Sequence, residues 1–314
     1  MNNTVYYDAQ LTDDERRRAL FDGQLFAYSP TKSSLAFVEF ARRMINEAFG
    51  GRDPETAQFD MPVEEYAQIL VKLKPAFIHH PESKGHLRAI LQDLGCNLDK
   101  TYFDVPKMRS STSDNYLTTG IAYAWHPHRD TWYSAPPCQI NWWIPIFGIR
   151  SDNAMAFHPR YWNRAVKNSS KGYNYYLWNQ KYRGDHVGQL LKEDPRPLPK
   201  PLQPLDLDPQ IRLIVPPGGM ILFSGAQMHS SVPNTSGRTR FSLDFRVVHL
   251  DDVATRRGAP KVDEECTGTT MRDYLRGSDL SRIPDELVAL YDDGTGTEGE
   301  LIYRQPSPDS SNGT

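Results

Sequence analysis

Two histidines and one aspartate form the most informative pattern in this sequence. His128 and Asp130 stand two residues apart, and His229 follows far downstream. Two imidazoles and one carboxylate can occupy one face of an octahedral iron(II) ion and leave the opposite positions open for small ligands. A His-x-Asp step suits this task on an extended strand, because residues two apart point to the same side. The pattern therefore predicts a metal site whose third ligand, His229, comes from a neighbouring strand.

The segment that contains His229 strengthens this interpretation, since a His-x-Asp triplet alone is more often a surface turn. Residues 215–240 read as a Pro/Gly turn, a short apolar strand, the histidine, an Asn-Thr-Ser-Gly turn and a strand that opens with Arg240. The Arg240 guanidinium could hold a dicarboxylic co-substrate by a bidentate pair. Arg238, the nearest alternative, falls in the turn, where we expect it to face solvent.

These motifs resemble the phytanoyl-CoA dioxygenase superfamily of iron(II)/2-oxoglutarate oxygenases. The pattern of that family is His-x-Asp, then His, then Asn-x-Ser, then Arg, and Asn234-Thr235-Ser236 supplies the third motif here. Residues 152–162 are also similar to the family's Asn-Gly-x-Leu…Pro-Gly-Ser-His stretch, although Arg160-Tyr161-Trp162 replaces Gly-Ser-His. The resemblance covers about residues 105–250.

The resemblance implies iron(II), 2-oxoglutarate and O2 as cofactor and co-substrates. Arg240 would hold the distal carboxylate of 2-oxoglutarate, and turnover would release succinate and CO2 while a C–H bond is oxidised. Hydroxylation, desaturation and cyclisation all remain open. A non-redox isomerase or hydrolase and a catalytically inactive binding protein are the alternatives. Arg240 argues against the first of these, because it has no obvious task without a dicarboxylate.

Strand alternation adds further candidates. If Arg240 faces the interior, Ser242, Asp244 and Arg246 do so too, and Ser242 is expected to assist Arg240. On the strand at 138–146, Gln139 and Asn141 are expected to offer amides to the co-substrate or substrate, although an amide network within the protein is an equal alternative. The residues expected to contact the substrate are His126, Trp132, Trp143, Arg160, Trp162 and Arg246.

The remaining sequence predicts a mainly β protein with flanking α-helices. Residues 33–50 follow a helical period, with Ser33 or Ser34 as the expected cap, and 62–74 and 84–95 read as helices closed by Pro75 and Gly95. From Thr101 onward, short runs rich in Tyr, Trp, Ile and Val between Pro and Gly are typical of antiparallel strands. We therefore predict a double-stranded β-helix, the cupin-like jelly roll, with N-terminal helices packed on one sheet.

One catalytic domain over 1–294 accommodates these segments. It comprises a helical part at about 1–100, the jelly-roll core at 101–250 and a C-terminal extension at 251–294, and a flexible tail follows at 295–314. An insert at about 150–212 is rich in aromatic residues and arginine. Such residues suit a lid over the site, and they equally suit a surface subdomain or a homodimer contact.

Composition restricts the partners. The chain has 314 residues, a net charge of −3 and a sequence pI of about 6.3, so no basic surface favours nucleic acid. No apolar run is long enough for a membrane span or signal peptide. Three widely spaced cysteines suggest neither a zinc site nor a disulfide framework. We expect a cytoplasmic protein with a small-molecule substrate that bears a carboxylate, an amino acid or natural-product intermediate.

Asp130 also predicts the outcome of the reaction. Halogenases of the superfamily that this chain resembles carry a small residue at this position, which leaves room for halide on the metal. With a carboxylate in place, turnover in the presence of chloride should give only oxygenated or dehydrogenated products. Mass spectrometry of the products would test this, and a chlorinated product would contradict it.

Overall fold

The structure, a computed structural model, describes residues 4–118, 126–182 and 196–292. Residues 183–195 of the expected insert and the expected tail at 295–314 lie outside the described part. Within that part, no helix combines the length and the apolar character that crossing a bilayer requires. The three cysteines are free thiols, and no disulfide joins them.

The strands form two sheets. In chain order they are β1 (Val5–Tyr7), β2 (Leu25–Tyr28), β3 (Thr101–Phe103), β4 (Lys107–Ser111), β5 (Ile140–Pro145), β6 (Met155–Phe157), β7 (Ile211–Arg212), β8 (Met220–Ser224), β9 (His229–Ser231), β10 (Arg240–His249) and β11 (Leu275–Arg276). The large sheet has the order β1-β2-β8-β5-β10-β3-β11, with β4 also paired to β10, and the small sheet has the order β7-β6-β9. Only the β1–β2 pair is parallel, so the large sheet is mixed.

The two sheets pack face to face through an apolar cluster. Trp143 and Phe223 of the large sheet meet Met155 and Phe157 of the small one, and the Phe157 and Phe223 rings lie edge to face at 5.0 Å. This arrangement confirms the predicted mainly β, jelly-roll-like core with flanking helices. The sheets do not close into a barrel, and β1 and β2 extend the large sheet from a segment that was expected to be helical.

The described residues also form helices, which lie on both sides of the large sheet. They are α1 (Asp13–Phe21), α2 (Lys32–Phe49), α3 (Val63–His79), α4 (Pro81–Asp93), α5 (Tyr175–Tyr182), α6 (Leu250–Thr255) and α7 (Asp285–Val288). The main core joins the apolar faces of α2, α3 and α4 to one face of β10, which presents Phe241, Leu243 and Phe245, all fully buried. The Phe49 and Phe241 rings meet edge to face at 6.1 Å. Burial of this apolar area fixes the helices on the sheet.

Helix α2 begins one turn earlier than the predicted cap. Thr31, rather than Ser33 or Ser34, is the N-cap, and its hydroxyl accepts a hydrogen bond from the Ser34 amide while Ser34 bonds back to the Thr31 amide. This reciprocal pair satisfies two amides that a helix start otherwise leaves open. Gly50 ends the helix as predicted, in the left-handed conformation that glycine adopts without a steric penalty.

Pro75 does not end α3, contrary to the sequence prediction. The helix continues from Val63 to His79 because its apolar face is buried on both sides of the proline, at Leu70, Leu73 and Phe77. Proline removes one backbone hydrogen bond, and the burial of these side chains offsets that loss. Helix α4 then starts with Pro81 and stops at Asp93, just before Gly95.

The helix-to-sheet core gives a stability prediction. Phe37 is fully buried on α2, whereas Leu35 on the same helix is 49% exposed. Phe37→Ala should lower the free energy of unfolding by about 3–5 kcal/mol through lost transfer energy and a cavity. Leu35→Ala, the matched control, should change it by less than about 0.5 kcal/mol. Urea unfolding measures both, and equal effects would contradict this description of the core.

Candidate metal centre

Backbone pairing brings His128 and His229 together. The amide of each residue donates to the carbonyl of the other at 3.0 Å, which forms an isolated antiparallel bridge. The strand predicted through His128 and Asp130 does not continue, because Asp130 begins a 3-10 turn over Asp130–Tyr133. The Asp130 amide instead donates to Gly225 O at 2.8 Å. The His128–His229 bridge to β9 and the hydrogen bond from Asp130 to Gly225, in the connection between β8 and β9, thus hold this segment in place of a regular strand.

The three predicted ligands converge. His128 Nε2 lies 3.4 Å and His229 Nε2 lies 3.8 Å from Asp130 Oδ1. One ligand atom from each residue lies within 4.8 Å of the others, and all three side chains are buried. Two imidazole nitrogens and one carboxylate oxygen at this spacing match the 2-His-1-carboxylate set of non-heme iron sites. In the part of the chain that the structure describes, this is the group of residues suited to hold a metal ion.

Backbone carbonyls fix which imidazole nitrogen faces the site. His128 Nδ1 lies 2.8 Å from the carbonyl of His126, and His229 Nδ1 lies 2.8 Å from the carbonyl of Gln227. A carbonyl only accepts, so each Nδ1 carries the proton and each Nε2 keeps its lone pair for a metal. Burial, followed by the charge of nearby His128, lowers the pKa of His229 to about 3. His229 is therefore neutral, as a ligand must be.

Two amides hold the second oxygen of the carboxylate. Gln139 Nε2 and Asn141 Nδ2 donate to Asp130 Oδ2 at 2.9 and 2.8 Å. Tyr274, fully buried, donates from its hydroxyl to Gln139 Oε1 at 2.7 Å, which orients that amide. Gln139 and Asn141 were predicted as residues that bind co-substrate, and the structure places their amides against the ligand itself. Asp130 Oδ1 is thereby left to face the two histidines.

Charge also favours the ionised form of Asp130. Burial alone would raise its pKa, but the closeness of the His128 imidazole and the positive charge of Arg246 outweigh burial and hold the pKa well below its usual range. Arg246 Nε lies 3.7 Å from Asp130 Oδ2. Gly225 packs against the side chain of Gln139, because a Cβ added at Gly225 would lie 3.2 Å from Gln139 Nε2. A side chain at Gly225 would therefore press on the amide that positions the carboxylate.

Arg240 lies buried in the same cavity with part of its guanidinium unused. Its Nη1 donates to the carbonyls of Asn153 and Ala154 at 3.0 and 3.3 Å, and the guanidinium lies 5.5 Å from the Trp143 ring centroid. Its Nε is buried and has no hydrogen-bond partner among the described residues. Burial lowers the pKa of Arg240 to about 10, so the side chain stays cationic at neutral pH. A buried cation with an unused donor fits an anionic ligand.

The other inward residues of β10 are of two kinds. Ser242 is fully buried and has a hydroxyl without a hydrogen-bond partner among the described residues, whereas Asp244 and Arg246 belong to an ion-pair network. Asp244 accepts from Arg109 Nε at 2.7 Å and lies 3.3 Å from Arg246 Nη1. Arg246 also pairs with Asp104 at 3.3 Å. Asp244 and Arg246 therefore form an ion pair within a larger network that compensates buried charge.

A cavity of 620 Å³ contains the site. It is lined by the three ligands and, among the other predicted residues, by Gln139, Asn141, Trp143, Arg240 and Arg246. The insert contributes a further wall through Tyr173, Tyr175, Trp178, Asn179, Arg196 and Leu198. Part of the aromatic insert thus lines the cavity, and whether it acts as a lid or as an interface stays open.

Four residues expected to contact substrate do not line the cavity. His126 Nε2 bonds to the carbonyl of Pro199 at 2.8 Å. Trp132 is fully buried, and its indole donates to Asp263 Oδ1 at 2.7 Å. These two side chains point away because no regular strand runs from 126 to 132.

The other two belong to the opposite side of the insert. Arg160 pairs with Asp206 near the surface, and Trp162 packs with Ala226 and Ala259. Both follow β6 through a 3-10 turn that ends on the outside of the small sheet. Where the resembled family has Gly-Ser-His, this chain therefore has an arginine that forms a surface ion pair and a tryptophan that packs in a small apolar cluster.

Sequence reasoning missed several residues that position the site. The alternation of Lys107 and Arg109 on β4 would have revealed the cationic side of the network, because these residues share the face of Asp244. Tyr274, by contrast, follows Asp130 by 144 positions and carries no local motif. Only the fold places its hydroxyl against Gln139.

The amide clamp gives a prediction for metal affinity. Asn141→Ala removes one of the two amide donors to Asp130 Oδ2, so the carboxylate loses orientation. Cobalt(II) affinity should fall by about 10- to 100-fold, measured by optical titration of the metal-free protein. Asn163→Ala, at an exposed position in the insert, is the control and should leave the affinity unchanged. Equal affinities in the two variants would contradict the positioning role.

Comparisons with known proteins give distant structural likenesses only. No family model matches the chain, and no curated protein matches it. EvdO2 from Micromonospora carbonacea var. aurantiaca aligns at 14% identity over 77% of this chain and 93% of that chain, with a TM-score of 0.41. Its complex with 2-oxoglutarate aligns at 13% identity over 56% of this chain and 62% of that chain, with a TM-score of 0.35.

Two further solved structures are similar at the same level. The nickel complex of the non-heme monooxygenase ThoJ aligns at 11% identity over 90% of this chain and 84% of that one, with a TM-score of 0.35. The non-heme α-ketoglutarate-dependent epimerase SnoN from nogalamycin biosynthesis aligns at 12% identity over 76% and 84%, with a TM-score of 0.37. Likeness this distant does not establish a shared family or activity.

Proposed function

We propose that this protein is an iron(II)- and 2-oxoglutarate-dependent oxygenase that oxidises a C–H bond of a small, carboxylate-bearing metabolite. The observation that carries the proposal is the pairing of two features in one cavity. His128, Asp130 and His229 present two imidazoles and one carboxylate, and Arg240 offers a buried N–H donor without a partner among the described residues in the same cavity. The first feature suits iron(II), and the second suits a dicarboxylate.

The residues present fit both groups. The two Nε2 atoms and Asp130 Oδ1 would hold iron on one side, since backbone carbonyls and amides already fix their orientation. Arg240 Nε and the Ser242 hydroxyl, both buried and without partners among the described residues, would satisfy the distal carboxylate of 2-oxoglutarate. Buried polar atoms of this kind are rare unless a ligand completes them.

When bound, iron(II), 2-oxoglutarate and O2 would supply the oxidising chemistry, with release of succinate and CO2. The protein's own part is to bind, orient and exclude water. Trp143 covers the guanidinium of Arg240 and keeps solvent from the ion pair that would form there. Because Asp130 stays ionised and each histidine directs its Nδ1 to a backbone carbonyl, the three ligand atoms already face the position that a metal would occupy.

The charge of the cavity supports an anionic substrate as well as an anionic co-substrate. Its lining includes five side chains that are mainly cationic at neutral pH, namely Lys107, Arg109, Arg196, Arg240 and Arg246, whereas burial lowers the pKa of Lys74 to about 7. Four aspartates face them, namely Asp104, Asp130, Asp244 and Asp273. One of these carboxylates would be committed to the metal, which leaves an excess of positive charge for a substrate carboxylate. The motif resemblance to the phytanoyl-CoA dioxygenase superfamily agrees with the class of chemistry.

Anaerobic optical titration with iron(II) and 2-oxoglutarate tests the proposal. The wild-type protein should develop a weak visible charge-transfer band, which His229→Ala should abolish and Arg240→Ala should weaken. Arg238→Ala is the matched control, because Arg238 lies two residues away with its side chain 53% exposed, paired to Glu55. That variant should keep the full band.

Other outcomes identify the alternative functions. Tight iron binding without a band would favour a non-redox metal enzyme. Absence of iron binding would favour a binding protein and would overturn the metal site. A band that weakens equally in the Arg238 and Arg240 variants would remove the specific role of Arg240.

A further inference from the structure

Helix α5 carries a buried amide with no hydrogen-bond partner in the part of the chain that the structure describes. Asn179 is 3% exposed, and neither its Nδ2 nor its Oδ1 has a hydrogen-bond partner among the described residues. The adjacent Trp178 also has a buried indole N–H without a partner. Both residues line the cavity that contains the metal ligands. Burying such groups unpaired is unfavourable, so an amide and an indole that persist in this state point to a ligand that completes them.

Hydrogen bonds from two tyrosines hold α5 in place, and Asn179 takes no part in them. The Tyr175 hydroxyl donates to Asp273 Oδ2, and the Tyr176 hydroxyl donates to Asp292 Oδ2 at 2.9 Å. Tyr175 stands four residues before Asn179, so both side chains lie on the same face of the helix. These tyrosines anchor the helix, and the amide is therefore free of any anchoring task.

A continuous series of aromatic rings connects this place to the metal ligands. The His128 and Tyr133 rings lie 5.5 Å apart, Tyr133 and Tyr173 lie 5.5 Å apart, and Tyr173 and Trp178 lie 6.2 Å apart. Such a wall suits an apolar or ring-shaped body that extends from the metal to α5. The molecule that fills the cavity would therefore have its reacting carbon beside the metal and its far end beside Asn179.

Asn179 and Trp178 are neutral groups at the far end. Asn179 offers an NH2 donor group and a carbonyl acceptor, and Trp178 offers one N–H donor. Arg196 stacks over the Trp178 ring at 5.4 Å. A group that both donates and accepts, such as a carboxamide or a hydroxyl, matches the amide better than a carboxylate, which offers no donor to Asn179 Oδ1.

We propose that Asn179 and Trp178 form a recognition site for a neutral carboxamide or hydroxyl group at the end of the substrate remote from the metal. The proposal rests on the proposed oxygenase function and adds the chemistry of the substrate's far end. It assigns to Asn179 a role in specificity and none in the oxidation itself.

Two variants of α5 test this role. Asn179→Leu removes the amide from the cavity, and Gln180→Leu removes the neighbouring exposed amide from the same helix. The probes are 2-piperidone and cyclohexane-1,2-diol as neutral rings, with cyclohexanecarboxylate and cyclohexylammonium as charged rings of similar size. Binding is measured by saturation-transfer NMR on the full chain, with and without iron(II) and 2-oxoglutarate under argon.

The neutral probes should bind the wild-type protein and the Gln180 variant, and should bind Asn179→Leu about tenfold more weakly. Cyclohexylammonium should bind more weakly than the neutral probes, and any binding of cyclohexanecarboxylate, which suits the cationic side of the cavity, should be the same in the wild type and in Asn179→Leu. Asn179→Leu should also unfold at the same temperature as the wild type or a higher one, because an amide without internal partners contributes no hydrogen bond to the fold. A purely structural asparagine would instead lower the unfolding temperature.

Three results would overturn the proposal: undiminished neutral-probe binding in Asn179→Leu, an equal loss of cyclohexanecarboxylate binding in that variant, or no binding of neutral probes to the wild type. The charge-transfer band separates these failures from failure of the oxygenase function. If the band persists in Asn179→Leu while probe binding is lost, both proposals hold. If the wild type shows no band, the oxygenase function fails whatever the probes show.

Discussion

The structure depends on a carboxylate whose two oxygens have different tasks. Asp130 is buried, and a buried anion is unfavourable unless it is paired and hydrogen-bonded. Gln139 and Asn141 satisfy Oδ2, which leaves Oδ1 beside the two imidazoles. Because Gln139 is in turn oriented by Tyr274, strand β5 and the C-terminal extension both determine where a metal would sit.

Strand β10 combines stability and chemistry through simple alternation. One face presents Phe241, Leu243 and Phe245 to the helices, and the other presents Arg240 and its polar neighbours to the cavity. A shift of one residue would bury the charges in the helical core and expose the phenylalanines to the site. The register with β5 and β4 is thus fixed by the core, and the position of Arg240 follows from it.

The cavity has two chemically distinct ends. Toward β4 and β10 its wall is charged and largely paired. Toward α5 it is aromatic and carries neutral, unpaired groups. The insert between β6 and β7 supplies this second end and also covers the outside of the small sheet, where Trp162 packs. Some residues of this insert therefore line the cavity and others pack on the small sheet. Because both roles use aromatic residues, the composition of the insert alone did not show which residues line the cavity.

The sequence by itself determined the ligand types, the arginine and the mainly β core with its helices. These depend on local signals: residue chemistry, the period of apolar residues and turn residues. It misplaced the end of α3 at Pro75, because burial of Phe77 outweighs a local preference. Only the tertiary structure decided the rest. The Tyr274 hydroxyl that orients Gln139 and the removal of Trp132 and Arg160 from the site depend on contacts between segments far apart in the chain. The amides that clamp Asp130 and the carbonyls that orient the imidazoles are near their partners in sequence, but they reach these partners only because the chain turns at Asp130 instead of continuing as a strand, and no local pattern encodes that turn.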